Sequence, residues 1–326
     1  MTVIREKVLE FLENNRGESI SGSMIAETLG VSRNAVWKTI KKLQSDGYII
    51  NASTNRGYCL CAENDLISEQ SIKMHLKTKY IGSNIDVFRT IDSTNTFAKK
   101  LAQLNAENGT TVISEEQTAG KGRLGRSFYS PERSGLYVSI ILRPTLSLES
   151  STLITSCISV AVAKAIEKVS GLNAKIKWVN DIFINGKKVC GILTEAGIDV
   201  ESGSLDYAVV GIGINVSTKK FPEILKDKAT SLELEAKKTI SRSVLCAEIL
   251  NSIEKELDGI ESKDFLSEYV SRSNILGQEI TVISGETSYP ATAVGIDKDA
   301  RLIVKTKDGA EKTLNSGEIS IRAKEY

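Results

Sequence analysis

The residues best suited to chemistry lie in "QTAGKGRLGRSFYS", residues 117–130. Here Gly120, Gly122 and Gly125 are interleaved with Lys121, Arg123 and Arg126. Taken literally, residues 120–125 match the dinucleotide fingerprint G-x-G-x-x-G. That fingerprint needs a strand before the loop and a helix directly after it, with pyrophosphate resting on the helix N-terminus. The sequence that follows, Arg126-Ser127-Phe128-Tyr129-Ser130-Pro131, is no helix start, and a helix N-terminus needs no such cations to hold an anion. A loop that closes over a polyphosphate needs both features. Its glycines let the backbone approach the anion and move, and its cations neutralise charge that develops in phosphoryl or nucleotidyl transfer. A plain basic surface loop is the alternative that this stretch alone leaves open. The Walker pattern G-x-x-x-x-G-K-[ST] is absent from the sequence.

Composition narrows the chemistry further. With 326 residues, 41% of them hydrophobic, and a net charge of +1, the chain reads as a globular protein of two or three domains. Any nucleic-acid binding must come from a local patch rather than from total charge. The only histidine is His75, which excludes histidine triads and histidine-rich metal sites. The five cysteines are scattered, and Cys59-x-Cys61 is too close and isolated for a zinc site, which needs four ligands. No metal-ligating set is expected. Chemistry must run on Lys, Arg, Asp, Glu, Asn, Ser or backbone groups. Residues 1–15 are charged and helix-like rather than a signal peptide. No run approaches the ~18 apolar residues of a membrane span, so the expected home is a reduced cytoplasm.

The elements that must carry these residues fall into three groups. In the first, Val3, Ile4, Val8, Leu9, Phe11 and Leu12 repeat at helical spacing, and Ser21 caps a second helix that ends at Gly30. Ser32 caps a third, with Val36, Ile40 and Leu43 as its buried stripe. Residues 48–50 and 58–60 form a hairpin around a polar tip. This pattern describes a winged helix-turn-helix spanning residues 1–65. Between Arg33 and Asp46 there are four cations and one acid, so a local basic patch exists. Ser32, Arg33, Asn34, Lys38 and Lys41, with Arg56 in the wing, are the candidate DNA contacts. "GVSRNAVWKTIKKLQSDGY" resembles winged-helix repressors, and an interaction module with a solvated basic face is the alternative.

The second group, residues 66–274, opens with a helix expected from Ser68 to Lys79. Strands are expected at 85–90, 110–115, 135–143, 175–179, 182–184, 188–195 and 207–216, with Asn185-Gly186 as a two-residue hairpin turn. Helices are expected to start at residues 92–95 and to span about 152–169, 241–259 and 263–272. This is no repeating βαβ order. It predicts an α+β domain, a mixed sheet with helices gathered on one side. In the third group, 275–326, period-two patterning predicts a small β-barrel.

"DSTN" at 92–95, "QTAGKGRLGR" at 117–126, "KWVNDI" at 177–182, "NGKKVCGILTE" at 185–195 and "VGIGINV" at 210–216 occur in one order. Together, and with the winged helix in front, they resemble the bifunctional biotin protein ligases, which are both biotin–[acetyl-CoA-carboxylase] ligase and biotin operon repressor. The resemblance covers essentially the whole chain, and it implies an SH3-like fold for the C-terminal barrel. It implies that biotin and Mg2+-ATP form biotinyl-5′-AMP, and that biotin is then passed to a lysine of a biotin carboxyl carrier protein. Positioning and electrostatics suffice for such chemistry. By the resemblance, Ser93, Thr94, Asn95 and Gln117 line the biotin pocket, and Lys121, Gly122 and Arg123 close over carboxylate and phosphates. Lys188 holds the reacting oxygens. Gly191, Gly211 and Gly213 let backbone approach biotin. Arg126, Lys177, Trp178, Asn180 and Asn215 serve the nucleotide side, and Asp181 helps the acceptor lysine lose its proton. The adenylate would also act as corepressor, favouring a homodimer on operator DNA. Lys121 and Val179 depart from the family's usual Arg and Pro; the first keeps charge but loses bidentate geometry. A lipoate–protein ligase and a ligand-sensing transcription factor are the competing readings.

Overall fold

The computed structural model describes residues 2–54, 56–144, 151–198, 205–284, 287–315 and 318–321. The chain divides into two compact units, Met1–Leu76 with Ser241–Ala247, and Lys77–Ile240 with Glu248–Tyr326.

The first unit contains α1 (Thr2–Asn14), α2 (Gly22–Leu29), α3 (Arg33–Ser45), β1 (Ile50–Ser53), β2 (Gly57–Leu60) and α4 (Glu69–Lys73). The expected caps form. Ser21 Oγ accepts the Met24 N–H and Ser32 Oγ accepts the Ala35 N–H, each at 3.1 Å. Gly30 ends α2 in the left-handed region at φ 64°. Leu9, Leu12, Ile25, Val36, Ile40 and Leu43 close the core. The hairpin pairs Ile50 with Leu60 through Ser53 with Gly57; its first strand starts two residues later than expected, where the Tyr48 N–H is still held by the Leu43 carbonyl. Gly57, at φ 85°, tolerates no side chain, since a Cβ there would lie 2.0 Å from the Ile20 carbonyl oxygen.

The helix expected from Ser68 to Lys79 stops at Lys73, although its start carries a complete capping box between Ser68 and Ser71. Beyond it the chain is held by side chains rather than by a helical ladder: the Lys77 N–H donates to Asn251 Oδ1 at 2.7 Å, and the N–H groups of Lys79, Tyr80 and Ile81 donate to the Glu254 carboxylate at 2.5, 3.0 and 2.9 Å.

The second unit contains β3 (Ile85–Phe88), α5 (Thr94–Gln103), β4 (Thr111–Ser114), β5 (Gly135–Leu142), α6 (Ser151–Ser170), β6 (Lys175–Lys177), β7 (Asp181–Ile184), β8 (Lys187–Ile198) and β9 (Leu205–Asn215). Then follow α7 (Leu232–Ala236), α8 (Arg242–Leu257, whose first turns join the first unit), α9 (Phe265–Arg272), β10 (Glu279–Ser284), β11 (Thr287–Ile296), β12 (Leu302–Thr306), β13 (Glu311–Leu314) and β14 (Glu318–Ile321). The seven-stranded sheet runs β3-β4-β5-β9-β8-β7-β6. Only β3 and β4 are parallel, so the sheet is mixed as expected. Asn185 and Gly186 form the tight turn with positive φ of 49° and 78°. The C-terminal strands make a five-stranded antiparallel sheet, β13-β12-β11-β10-β14.

The helices do not gather on one side of the sheet. Glu195 of β8 reaches Asn95 and Lys99 of α5. The adjacent Thr194 meets Thr155 of α6 at 2.8 Å. Neighbouring strand residues point to opposite faces, so α5 and α6 cover opposite faces. The sequence hid this because α6 is apolar nearly all round, with Ile158, Ala161, Val162, Ala165 and Ile166 all fully buried.

Glu254 offers a direct test of how the second unit is tied together. Burial works against its charge, but the N–H groups of Ile81, Lys79 and Tyr80, together with the Lys79 charge, outweigh it and hold the carboxyl below its ordinary value. The stability this charge provides is present above the unfolded carboxyl value of about 4.3. It is lost as pH falls through the lower folded value. Glu254→Gln should lower the unfolding free energy by about 1–3 kcal/mol in urea titrations at neutral pH, and its stability should decline less steeply than the wild type's on acidification.

Candidate active site

The face of β8 and β9 that carries α5 has three glycines at its centre, with Leu193 beside them. Gly191 pairs with Gly213 and Leu193 with Gly211, and the alternation puts Gly191, Gly211 and Gly213 on that face. Side chains crowd directly over them. A Cβ on Gly211 would lie 2.1 Å from Asn95 Oδ1. One on Gly213 would lie 2.6 Å from the Phe128 ring, and one on Gly191 would lie 3.1 Å from Lys188 Nζ. The Phe128 ring therefore rests on the glycine floor, with the Lys188 ammonium beside it.

One wall of the site is polar. Gln117 accepts the Thr94 N–H through Oε1 at 2.9 Å and donates through Nε2 to Ser130 Oγ at 3.0 Å. Thr94 Oγ1 lies 3.0 Å from Gln117 Oε1. Ser139, on β5, lies 2.8 Å from Thr94 Oγ1 and 2.6 Å from Asn95 Oδ1. Asn95 Nδ2 donates to Glu195 Oε2 at 2.9 Å, and Lys99 Nζ sits 2.6 Å from the other Glu195 oxygen. Ser93 is the N-cap of α5, accepting the Thr96 N–H at 3.4 Å.

The opposite wall is charged. Lys188 Nζ is 2.7 Å from Asp181 Oδ1. Lys188 is fixed from the backbone side as well: its N–H donates to the Lys228 carbonyl, and its own carbonyl accepts the Thr230 N–H. Asn215 donates to the Thr230 carbonyl at 3.1 Å and so braces the segment that holds Lys188. Arg123 Nη1 donates to Asn180 Oδ1 at 3.2 Å, while Asn180 Nδ2 donates to the Ile192 carbonyl at 2.7 Å. The glycine loop thus reaches the charged wall through Arg123, and the charge of Lys121 acts on Glu195 on the polar wall.

That loop is a small hairpin. Phe128 N–H donates to the Gly120 carbonyl and Gly122 N–H to the Arg126 carbonyl. Lys121 pairs with Ser127. Leu124 and Gly125 turn the tip at φ 54° and 74°, and Leu124 is 74% exposed there. No helix follows it before β5, which disposes of the dinucleotide fingerprint.

The remaining expected residues spread out. Lys177 lies 5.9 Å above the Phe183 ring centre. Trp178 is buried and donates its indole N–H to the Ala300 carbonyl at 3.0 Å, which makes it a core residue. Arg126 is exposed on the loop. The DNA candidates belong to the first unit, where Ser32 serves as the cap of α3 and Arg33, Asn34, Lys38, Lys41 and Arg56 are exposed. Sequence reading missed Ser139, Glu195, Lys99 and Phe128 as site residues. Ser139 carried a usable signal, a polar side chain inside the otherwise apolar β5. Glu195 follows Gly191 and Leu193 at period two, which also could have placed it.

Gly211→Ala should push Asn95 out of this arrangement. Asn95 is 3% exposed, so its displacement should destabilise the chain by about 1–3 kcal/mol in denaturant titrations. An unchanged midpoint would contradict the packing described.

Comparisons with known proteins agree with this architecture. The Biotin/lipoate A/B protein ligase family matches residues 87–215, an HTH domain matches residues 4–59, and the Biotin protein ligase C terminal domain matches residues 275–322. The bifunctional ligase/repressor BirA of Bacillus subtilis is 36% identical over 95% of this chain and 97% of its own length. Its Escherichia coli counterpart is 29% identical over 98% and 97%. A biotin protein ligase from Aquifex aeolicus, solved with biotin and ATP, is 31% identical with a TM-score of 0.63, covering 74% of this chain and 99% of that one. The chain therefore belongs to the bifunctional ligase/repressor group of the biotin protein ligases.

Proposed function

We propose that this chain makes biotinyl-5′-AMP from biotin and ATP, transfers biotin to a lysine of a biotin carboxyl carrier protein, and represses transcription from operator DNA. The observation that carries the enzymatic part is the meeting of Lys188 and Asp181, 2.7 Å apart, with the Arg123–Asn180 contact beside a glycine floor in one unit. In the first step the biotin carboxylate attacks the α-phosphate and pyrophosphate leaves. Lys188 is a compact charge suited to the oxygens that gather negative charge. Lys121, Gly122 and Arg123 close over carboxylate and phosphates. Arg126, Lys177 and Asn180 serve the nucleotide, while Trp178 and Asn215 support that side from the core. In the second step the acceptor amine attacks the acyl carbon and AMP leaves, with Asp181 taking the amine's proton. Ser93, Thr94, Asn95, Gln117 and Gly191 form the biotin side. A wall of amide and hydroxyl groups suits a ureido ring, whereas the dithiolane of lipoate has no N–H or C=O for it to meet.

Among the described residues no group of three His, Cys, Asp or Glu side chains could hold a metal ion, so magnesium is proposed to enter on the ATP phosphates. The functional division is 1–65 for DNA, 66–274 for catalysis and 275–326 for the C-terminal sheet, with 66–76 and 241–247 packing with the DNA part. Bound adenylate favours a homodimer on a two-fold operator, and acceptor protein competes with that state. Among the described residues no helix is long and apolar enough to cross a membrane, and the proposed place of work is the cytoplasm, with ATP, acceptor and DNA.

Lys188→Ala should keep its fold by circular dichroism and lose biotin-dependent pyrophosphate exchange by about 100-fold or more; exchange at the wild-type rate rules out the role given to Lys188. Affinity for a promoter duplex, read by fluorescence anisotropy, should rise about tenfold or more with biotin plus Mg2+-ATP. Indifference to both would remove the corepressor.

A further inference from the structure

The chain has two tryptophans, and their settings are opposite. Trp178 is 4% exposed, with its indole N–H bonded to the Ala300 carbonyl. Trp37, the fifth residue of α3, is 49% exposed. The helix itself explains why. Val36, Ile40 and Leu43 are fully buried and turn one face of α3 to the core. Trp37 follows Val36 by one residue, about 100° further round the helix axis, and so stands off that face. Arg33 lies one turn before it and Lys41 one turn after it, and Asn34 and Lys38 continue the same outward side. All four of those residues are exposed. A lone apolar side chain on a surface needs no explanation. An indole set between cations is a different matter, because it places a large apolar surface where the core cannot use it.

In this unit α3 is the second helix of the helix-turn-helix, the one whose N-terminal residues reach base edges in the major groove. Those edges present N–H donors and O or N acceptors, and their one apolar group is the C5 methyl of thymine. Arg33, Lys38 and Lys41 suit phosphates of any sequence. The indole face gains only by shedding water against another apolar surface, and in the groove that surface is the thymine methyl. We propose that Trp37 is a specificity-determining residue of the DNA-binding part, packing its indole face on a thymine C5 methyl of the operator. The inference rests on the repressor reading, with α3 in the major groove. It divides the work of the helix. The cations supply attraction that falls with salt and ignores sequence, whereas Trp37 supplies discrimination that salt leaves in place.

The test uses the full-length protein with biotin and Mg2+-ATP. The tightest duplex is selected from a random pool, and each of its thymines is replaced in turn by deoxyuridine, which lacks only the methyl. Affinity, read by fluorescence anisotropy, should fall about threefold for one thymine of a half-site, and about tenfold when its two-fold mate is changed as well. Trp37→Ala should bind the selected duplex about tenfold more weakly. It should be indifferent to the replacement that the wild type feels, and its salt dependence should match the wild type's. Lys38→Ala should do the reverse, with a shallower salt dependence and the methyl still felt. Trp37→Gln stands in, with the same expectation, if Trp37→Ala does not fold. A wild type that feels no thymine methyl, or a Trp37 variant that feels the same methyl as strongly, would overturn the proposal. Unchanged DNA affinity in the Trp37 variants would overturn it too and leave the indole to a protein partner. If the wild type selects no duplex at all, the repressor reading fails instead, and the two failures are distinct.

Discussion

Two neighbouring strands of the central sheet must leave backbone uncovered on one face. Gly191, Gly211 and Gly213 meet that requirement, and the site is arranged around the space it leaves. Asn95 and Phe128 approach to distances at which any Cβ on Gly211 or Gly213 would collide with them. Interiors pack too tightly to absorb such a collision without displacing a neighbour. The same absence of side chains lets the Lys188 ammonium lie beside the floor instead of above a layer of apolar groups, so sterics and electrostatics are one constraint here.

Around that floor the chemistry is divided by wall. The polar wall has amides and hydroxyls in fixed mutual order, with Glu195 and Lys99 behind it. The charged wall has Lys188 and Asp181 on adjacent strands, and Arg123 brought in by the glycine hairpin. A net charge of +1 for the chain says nothing of this arrangement, because the useful cations are local. An adenylating site of this kind needs no nucleophile of its own. Asp65, at the end of the DNA-binding part, accepts from the backbone N–H and guanidinium of Arg242 at 3.0 and 2.6 Å, so residues far apart in sequence complete the first unit.

Local signals in the sequence predicted local structure well. Ser21, Ser32 and Ser93 each cap the helix they precede, and Asn185-Gly186 makes its turn. The resemblance, not the spacing, singled out Gly191, Gly211 and Gly213, and the groups that come close to them are Lys188, Asn95 and Phe128. What the sequence did not disclose depends on partners far away along the chain. The helix after Ser68 ends at Lys73, and the chain beyond it is held instead by Asn251, which takes the Lys77 N–H, and by Glu254, which takes those of Lys79, Tyr80 and Ile81. The placement of α5 and α6 on opposite faces follows from which of two adjacent residues, Thr194 or Glu195, each helix meets. Trp178 sits in a motif of the site, yet its indole bonds to Ala300, over a hundred residues away.

The most direct measurement of the central claim is transfer followed by intact-mass spectrometry. The protein would be mixed with Mg2+-ATP and an apo biotin-carrier domain, with biotin or lipoate supplied in parallel, and a lipoyl domain as a second acceptor. A ligase built on this glycine floor and polar wall adds the mass of one biotinyl group to the carrier, and only when biotin and ATP are both present. No mass gain with either acid, or lipoyl transfer to the lipoyl domain, would contradict the account.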